Sequence, residues 1–324
     1  MSDVKHFADR FTTLAGNVET FIRGKPEVVR LALVCLFAQG HLLIEDVPGV
    51  AKTSLAKAIA RSISGVKLRR IQFTPDLLPS DVIGVQTYDQ ANHVFKFIEG
   101  PVFANIVIGD EINRASPKTQ SALLEVMAEQ QVTIDGLPRP VPDPFLCIAT
   151  QNPIEHQGTY ALPEAQLDRF MMRIEVGYPS DPLEEMQVIT NGIARRTPER
   201  LLEPVMQVDD LRGLIKVAQS VHVSDPIKNY IVQVAMRTRG HDSVRLGISP
   251  RGCIALAAAA QAYAAAQGQD FVVTDDVRAV ALPVLSHRVL LKPEARMHGA
   301  NVETILNGLL RDAEGVPAPR KRWA

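Results

Sequence analysis

The stretch Gly40–Ala60, GHLLIEDVPGVAKTSLAKAIA, decides how the chain folds. Its first part, HLLIED, is a short apolar run closed by Glu45 and Asp46 and reads as a buried strand. Pro48-Gly49 marks a turn, and KTSLAKAIARSI carries apolar residues at helical spacing. A strand that runs through a tight turn into a helix aims backbone N–H groups, and the positive end of a helix dipole, at one point where an anion can sit. The phosphate-loop spacing G-x-x-x-x-G-K-[ST] is met by Lys52 and Thr53, yet Asp46 and Ala51 stand where its two glycines belong. Alanine suits a position just inside a helix. Asp46 is harder to place, because a carboxylate facing phosphates repels them. Aspartate tolerates turn and left-handed backbone, so Asp46 is expected to keep the geometry with its side chain turned away. Asp46, Val47, Pro48, Gly49, Val50, Ala51, Lys52, Thr53 and Ser54 are thus the candidate nucleotide-contacting set. Taken alone, the stretch also reads as strand, turn and helix with no ligand.

The rest of the chain sets limits. Its 324 residues leave room for one large domain or two ordinary ones. Lysine plus arginine, 35, nearly balances aspartate plus glutamate, 36, which argues against a protein that works by coating nucleic acid or an anionic membrane. Cys35, Cys147 and Cys253 lie far apart in apolar runs and fit buried thiols in a reducing compartment better than disulfides or a metal centre. The N-terminus MSDVKHFADRFTTL lacks a signal-peptide pattern, and the runs LALVCLFA and IALAAAAQAYAAA are too short and interrupted to span a bilayer. The expectation is a cytoplasmic α/β protein without membrane insertion.

Working outward, helical spacing predicts helices over 3–18 and 26–38. KLRRIQF reads as a strand, and VIGVQTYD with VFKFIEG, around QANH, as a hairpin. ANIVIGDE is an apolar strand ending in two carboxylates, TQSALLEVMAEQ a helix, QVTIDG part of a second small hairpin, and FLCIATQNP a strong strand. This alternation predicts a mostly parallel sheet flanked by helices. Beyond Pro182 the pattern turns helical, with Ser, Asp or Thr at each expected N-cap, as in VDDLRGLI, SDPIKNYIVQVAM and TDDVRAVALPVL. The predicted domains are an α/β core over 1–182, carrying hairpins near 81–100 and 131–141, an all-helical domain over 183–313, and a basic Pro-rich tail over 314–324.

The loop needs partners. Asp110 and Glu111 end a buried strand, where ligands bind in open α/β sheets; the first could hold magnesium and the second polarise an attacking water. An acidic helix N-terminus is the plainer reading, which the phosphate loop upstream makes less apt. Asn152 ends the next strand and either contacts the same water or simply forms an Asn-Pro turn. Arg169, in PEAQLDRF, could act in trans on a neighbour's γ-phosphate, although on the residues alone a surface salt bridge accounts for it better. Arg251, in ISPRG, opens a helix of the second domain and could reach back to the nucleotide.

Together these blocks resemble a known family. GHLLIEDVPGVAKTSLAKA, VIGDEINRASPKTQSALLEVMAE, QVTIDG, CIATQNPIEHQGTYALPEAQLDRFMMRI and GISPRG follow the order found in MoxR-type AAA+ ATPases, which are related to magnesium-chelatase ATPase subunits. The resemblance covers roughly residues 24–290, and family members often carry Asp at the position of Asp46 and, in some, Ala before the lysine. It implies a P-loop core followed by an all-α lid, with ATP and Mg²⁺ as cofactors. Lys52 and Thr53 match the first Walker motif, Asp110 the magnesium-binding acid, Glu111 the catalytic carboxylate, Asn152 the first sensor, Arg169 the arginine finger and Arg251 the second sensor. Arg114 and Arg173 are alternative fingers. The two hairpins look like the insert in the second core helix and the one before the first-sensor strand.

A trans-acting arginine makes sense only in an assembly, so a homo-oligomeric ring, a hexamer, is implied. The expected function is ATP-driven remodelling of a protein client, for instance metal or cofactor insertion, alongside a separate von Willebrand factor A domain partner. Two rivals are a nucleic-acid motor, disfavoured by hairpin tips DQANH and DGLPRP that are not basic, and an ATP-gated scaffold with little turnover, disfavoured by Glu111.

Overall fold

Neighbouring residues of the central strands belong to two different cores. The computed structural model describes residues 3–47, 52–153, 158–178, 181–183, 185–186 and 202–313. Within it five strands form one parallel sheet: β1 (Leu42–Glu45), β2 (Leu68–Gln72), β3 (Ile106–Asp110), β4 (Leu146–Gln151) and β5 (Met172–Ile174). Their order across the sheet is β5-β1-β4-β3-β2. Because side chains alternate across a strand, Leu42, Ile44, Ile106, Ile108, Leu146 and Ile148 point to one face. Leu43, Val107, Cys147 and Ala149 point to the other. Both faces are covered, so the strands read as continuous apolar runs, as buried parallel strands do.

The first face meets helices α1 (Asp3–Glu19), α2 (Pro26–Phe37) and α3 (Lys52–Arg61). The second meets α4 (Pro117–Glu129), whose Leu123, Leu124 and Met127 close it. The chain leaves β1 toward the β2 edge, returns through β3 and β4, and then crosses β1 to form β5. The strand order therefore reverses around β1 and β4, which places a ligand crevice beyond their C-terminal ends. Glu45 and Gln151 are opposite one another there.

Two hairpins project from this core. Gly84–Asp89 pairs with Val94–Glu99 from Gly84↔Glu99 to Asp89↔Val94. The strand begins two residues later than the apolar pattern suggests, because Val82 and Ile83 finish a helical turn, Pro79–Ile83. Proline opens that turn, and the Asp81 carboxylate accepts from the Leu78 amide at 2.9 Å. Gly84 then adopts φ 101°, and a Cβ there would run into the Ile98 carbonyl. The second hairpin, Gln131–Ile134 with Leu137–Pro140, turns on Asp135-Gly136, both at positive φ, the Asp-Gly chemistry of a tight hairpin.

Helices α5 (Val208–Ser220), α6 (Asp225–Arg239), α7 (Pro250–Ala266), α8 (Thr274–Leu285) and α9 (Val302–Asp312) follow. Alanine makes α7 their hub: Ala259, Ala260, Ala262, Ala264 and Ala265 are fully buried, and small side chains let α1, α2, α5 and α8 close in around it. The amphipathic N-terminal helices thus share their core with the helical segment as well as with the sheet. Capping departs from the sequence pattern. Ser249 caps α7 by accepting from the Gly252 amide at 3.1 Å. At α5 and α8, however, the capping positions are Gln207 and Val273, and Asp210 and Asp276 reach back to their amides from inside the first turn. An acid three residues in satisfies the same orphan donor as a hydroxyl at the cap. Cys35 and Cys147 are buried free thiols, burial pushing both well above the usual thiol range, and Cys253 is half-buried. Among the described residues no helix is long and apolar enough to cross a membrane.

Candidate nucleotide site

Asp46 is where the structure answers the question its sequence raises. The residue is buried, and its carboxylate is taken up by backbone amides. One oxygen accepts from the Val47 amide at 2.7 Å; the other accepts from the Val176 and Gly177 amides at 2.8 and 2.6 Å. The negative charge is therefore spent on three backbone donors. The same bonds tie the end of β1 to the chain leaving β5. Pro48, Gly49, Val50 and Ala51 lie outside the described residues.

Beyond them α3 begins with Lys52, Thr53 and the half-buried Ser54. Lys52 Nζ donates to the carbonyls of Asp46 and Gln151, the latter at 3.2 Å, and so bridges the ends of β1 and β4. Burial lowers its pKa from the usual lysine range, opposed by the carboxylates of Asp46, Glu111, Asp110 and Glu45. Thr53 Oγ1 donates to both oxygens of Asp110, at 3.0 and 3.2 Å, bringing the α3 hydroxyl against the acid that ends β3. A hydroxyl beside a carboxylate is a hard-oxygen pair that fits magnesium, which typically takes one or two protein oxygens and completes its shell with phosphate and water. Among the described residues no three His, Cys, Asp or Glu side chains converge.

Glu111 follows immediately and is held in an unusual state. Its backbone is left-handed, φ 58° and ψ 50°, which costs a non-glycine residue energy and points to a constraint imposed by its surroundings. Its amide donates to Thr150 Oγ1 at 3.0 Å, and Thr150 Oγ1 lies 3.4 Å from Asp110 Oδ1. Its Oε2 accepts from Gln72 Nε2 at 2.9 Å and from Arg114 at 3.1 Å. Arg70, two residues before Gln72 on β2, places Nε 2.5 Å from Asp110 Oδ2. Asn152, one residue past β4, is half-buried beside the same crevice.

The three arginines considered for a trans role differ. Arg114 is paired with Glu111, and Arg173 with Glu45 at 2.8 Å across β5 and β1. Arg169 donates instead to the Leu124 carbonyl on α4, and no carboxylate among the described residues pairs with it. Arg251 is exposed in the first turn of α7. The structure thus gathers Lys52, Thr53, Asp110, Glu111 and Asn152 at one end of the sheet and leaves Arg169 and Arg251 on the approach from β5 and α7. Sequence reasoning missed Arg70, Gln72 and Thr150. A signal for them existed, since KLRRIQF is a core strand with two polar residues at its site end, and Thr150 interrupts an apolar run.

Comparison with known proteins agrees with this geometry. Residues 41–172 match the family described as "ATPase family associated with various cellular activities (AAA)", and residues 236–309 match an AAA lid domain. The chain is 43% identical to Chaperone MoxR1 of Mycobacterium tuberculosis, covering 91% of this chain and 79% of that one. It is 31% identical to Protein MoxR of Paracoccus denitrificans, over 90% and 92%. The chain belongs to the MoxR family of AAA+ ATPases. Like other MoxR proteins it is an ATPase, with a nucleotide-binding core and an AAA lid. It is also 50% identical to YeaC of Bacillus subtilis, an uncharacterised protein, over 92% of each chain. A crystal structure of a candidate ATPase from Cytophaga hutchinsonii superposes with a TM-score of 0.89 at 34% identity, covering 98% of this chain and 97% of that one. The likeness to the Acidiphilium rubrum magnesium-chelatase 38 kDa subunit is more distant, 29% over 63% of this chain.

Proposed function

We propose that the protein is a magnesium-dependent ATPase assembled as a hexameric ring in the cytoplasm, which uses hydrolysis to remodel a protein client. The observation that carries this reading is the meeting of Thr53, Asp110, Lys52 and Glu111 at the ends of β1 and β3 while Asp46 is turned out of the way. Thr53 and Asp110 would hold the metal, which when bound supplies charge stabilisation at the phosphate oxygens. Lys52, already at the mouth of the crevice between β1 and β4, exchanges its carbonyl partners for phosphate oxygens. Glu111 polarises the attacking water once Gln72 and Arg114 release its carboxylate. Asn152 orients that water, Arg251 contacts the nucleotide from α7, and Arg169 serves the neighbouring subunit. Residues 1–182 act as the core and 183–313 as the lid; the tail over 314–324 lies outside the described residues.

A protein client is favoured over nucleic acid by the hairpin at 84–99. Val85, Val94, Phe95 and Ile98 are exposed on it, and a cleft of about 550 Å³ lined by Ile83, Val85, Phe95 and Ile134 runs between the two hairpins. Exposed apolar surface of this kind suits an unfolded or partly folded chain, and a phosphate backbone would call for cations instead. Metal or cofactor insertion, with a von Willebrand factor A domain partner encoded separately, is the specific task we assign. Steady-state ATP hydrolysis by the wild type and Glu111→Gln, with oligomer mass followed in parallel, tests the reading. Activity should fall about 100-fold or more while nucleotide binding and ring assembly persist. Equal rates in the two proteins, with and without a candidate partner, would refute it.

A further inference from the structure

One guanidinium of the helical segment collects the backbone around Arg169. Arg288, 120 residues further along the chain, donates through Nε to Asp168 Oδ1 at 2.7 Å. Its two terminal nitrogens donate to the carbonyls of Asp168 at 3.1 Å, Phe170 at 2.7 Å and Met171 at 3.0 Å, and to the Val284 carbonyl on α8. The Arg288 side chain is 3% exposed. His287 Nε2 lies 3.1 Å from the Phe170 carbonyl as well. The second oxygen of Asp168 accepts from Ser249 Oγ at 3.1 Å, and Ser249 is the N-cap of α7, two residues before Arg251. The backbone that carries Arg169 and the helix start that carries Arg251 therefore share one carboxylate.

The chemistry argues for more than adhesion. A buried ion pair is a poor way to stabilise an interface compared with apolar packing, and its best-attested use is to fix a unique register. Here a rigid, planar group is matched to one carboxylate and three carbonyls of residues 168–171 and to the Val284 carbonyl of its own side, a fit that a lysine's point charge cannot reproduce. Arg169 projects from the middle of that segment, its own guanidinium donating to the Leu124 carbonyl.

We infer that Asp168 and Arg288 are positioning residues for Arg169, making residues 168–171 move with the helical segment so that the lid's seating sets where Arg169 meets the next subunit. This rests on the proposal that Arg169 acts in trans. The position of the lid over one subunit's nucleotide is then read out as hydrolysis in its neighbour.

Subunit mixing tests it. Asp168→Asn, Arg288→Gln, Arg288→Lys and Arg169→Ala all keep an intact Lys52, whereas Lys52→Ala keeps an intact 168–171 segment but cannot use its own site. Asp168→Asn and Arg288→Gln alone should lose at least tenfold in kcat with KM for ATP changed less than about threefold, a split expected when a transition-state contact is misplaced. Arg288→Lys should not rescue. Mixed with an equal amount of Lys52→Ala, each variant should regain turnover, because random assembly pairs an intact site with an intact neighbouring segment at roughly a quarter of interfaces. Melting midpoints and binding of a fluorescent ATP analogue confirm that each variant is folded. Should Arg288→Gln fail to fold, Asp168→Asn decides alone. Wild-type kcat in Asp168→Asn, or recovery on mixing for Arg169→Ala but not for Asp168→Asn, overturns the inference while leaving the trans role of Arg169 standing. No recovery for Arg169→Ala overturns the trans role and this inference with it.

Discussion

Replacing Asp46 with glycine restores the residue of the general phosphate-loop signature, and that signature alone would expect the change to be harmless. The structure expects otherwise. Asp46 accepts two bonds, at 2.8 and 2.6 Å, from the amides of Val176 and Gly177, and a third from Val47 at 2.7 Å. Bonds to a charged acceptor contribute about 1.5–3 kcal/mol each, and a buried donor left without a partner costs about 1–3 kcal/mol. The Val47 amide can turn to water; the amide of Val176, which is buried, cannot. Counting only the two long-range bonds gives about 3–6 kcal/mol, and the freer backbone of glycine in the unfolded chain adds about 0.5–1 kcal/mol. Asp46→Gly should therefore lose about 4 kcal/mol or more in urea unfolding, and amide exchange at Val176 and Gly177 should accelerate more than elsewhere in the sheet. Nucleotide affinity should change little, since the carboxylate is engaged by the Val176 and Gly177 amides. A variant within about 0.5 kcal/mol of wild type, with unchanged exchange at those two amides, would refute the assignment of Asp46 as a strap between β1 and β5.

Other perturbations probe the rest of the site and core. Arg70 is half-exposed beside Asp110, so Arg70→Gln should lower the magnesium concentration needed for half-maximal nucleotide binding by roughly fivefold, the worth of a good exposed ion pair; an unchanged or higher requirement would count against its role as a counter-ion. Gln72→Ala frees one of the two donors on Glu111, so basal ATP turnover should rise by about twofold or more. A fall would mean that Gln72 helps hydrolysis directly. His41 is buried between the Met127 carbonyl and the Cys147 amide, and desolvation lowers its pKa from 6.5 to about 4. Between those values the unfolded chain binds a proton that the folded one refuses, so stability is full above pH 6.5 and falls as pH drops, by up to about 3 kcal/mol. His287, also lowered by burial, acts in the same direction, while Asp276, raised to about 6, opposes it. The His41 share is the difference in pH slope between wild type and His41→Gln, and equal slopes would exclude it.

What the sequence revealed and what it hid follow from chain separation. The apolar runs LLI, IVI and LCIA and their alternation with helices are local, and they announce a mostly parallel sheet covered by helices; the division of their side chains between two cores is seen in the structure. Asp135-Gly136 and Pro79 are local too, the first announcing a hairpin and the second a helical turn that pushed the next strand start to Gly84. Capping was misread at Gln207 and Val273 because a hydroxyl at the cap and an acid three residues in do the same work, and only the backbone shows which one is used. That Asp46 turns away follows from electrostatics alone. What it turns toward is an amide pair 130 and 131 residues distant, which no local pattern carries.

The same separation explains why Arg169 and Arg251 were legible and Arg288 was not. Arg169 and Arg251 sit inside short blocks, LDRF and SPRG, that belong to the motifs carrying the family resemblance, which is what brought them forward as candidates. Arg288 sits in LSHRVLL, an apolar run that reads as the end of a core helix. Its importance lies in contacts 117 and 120 residues away, with a segment whose carbonyls have no side-chain signature at all. A charged residue embedded in an apolar run is itself a signal, since arginine is almost never fully buried unless its donors are matched. Applied to this chain, that rule singles out Arg288 among the described arginines: it is buried, every other is half-buried or exposed, and its contacts join the helical segment to residues 168–171.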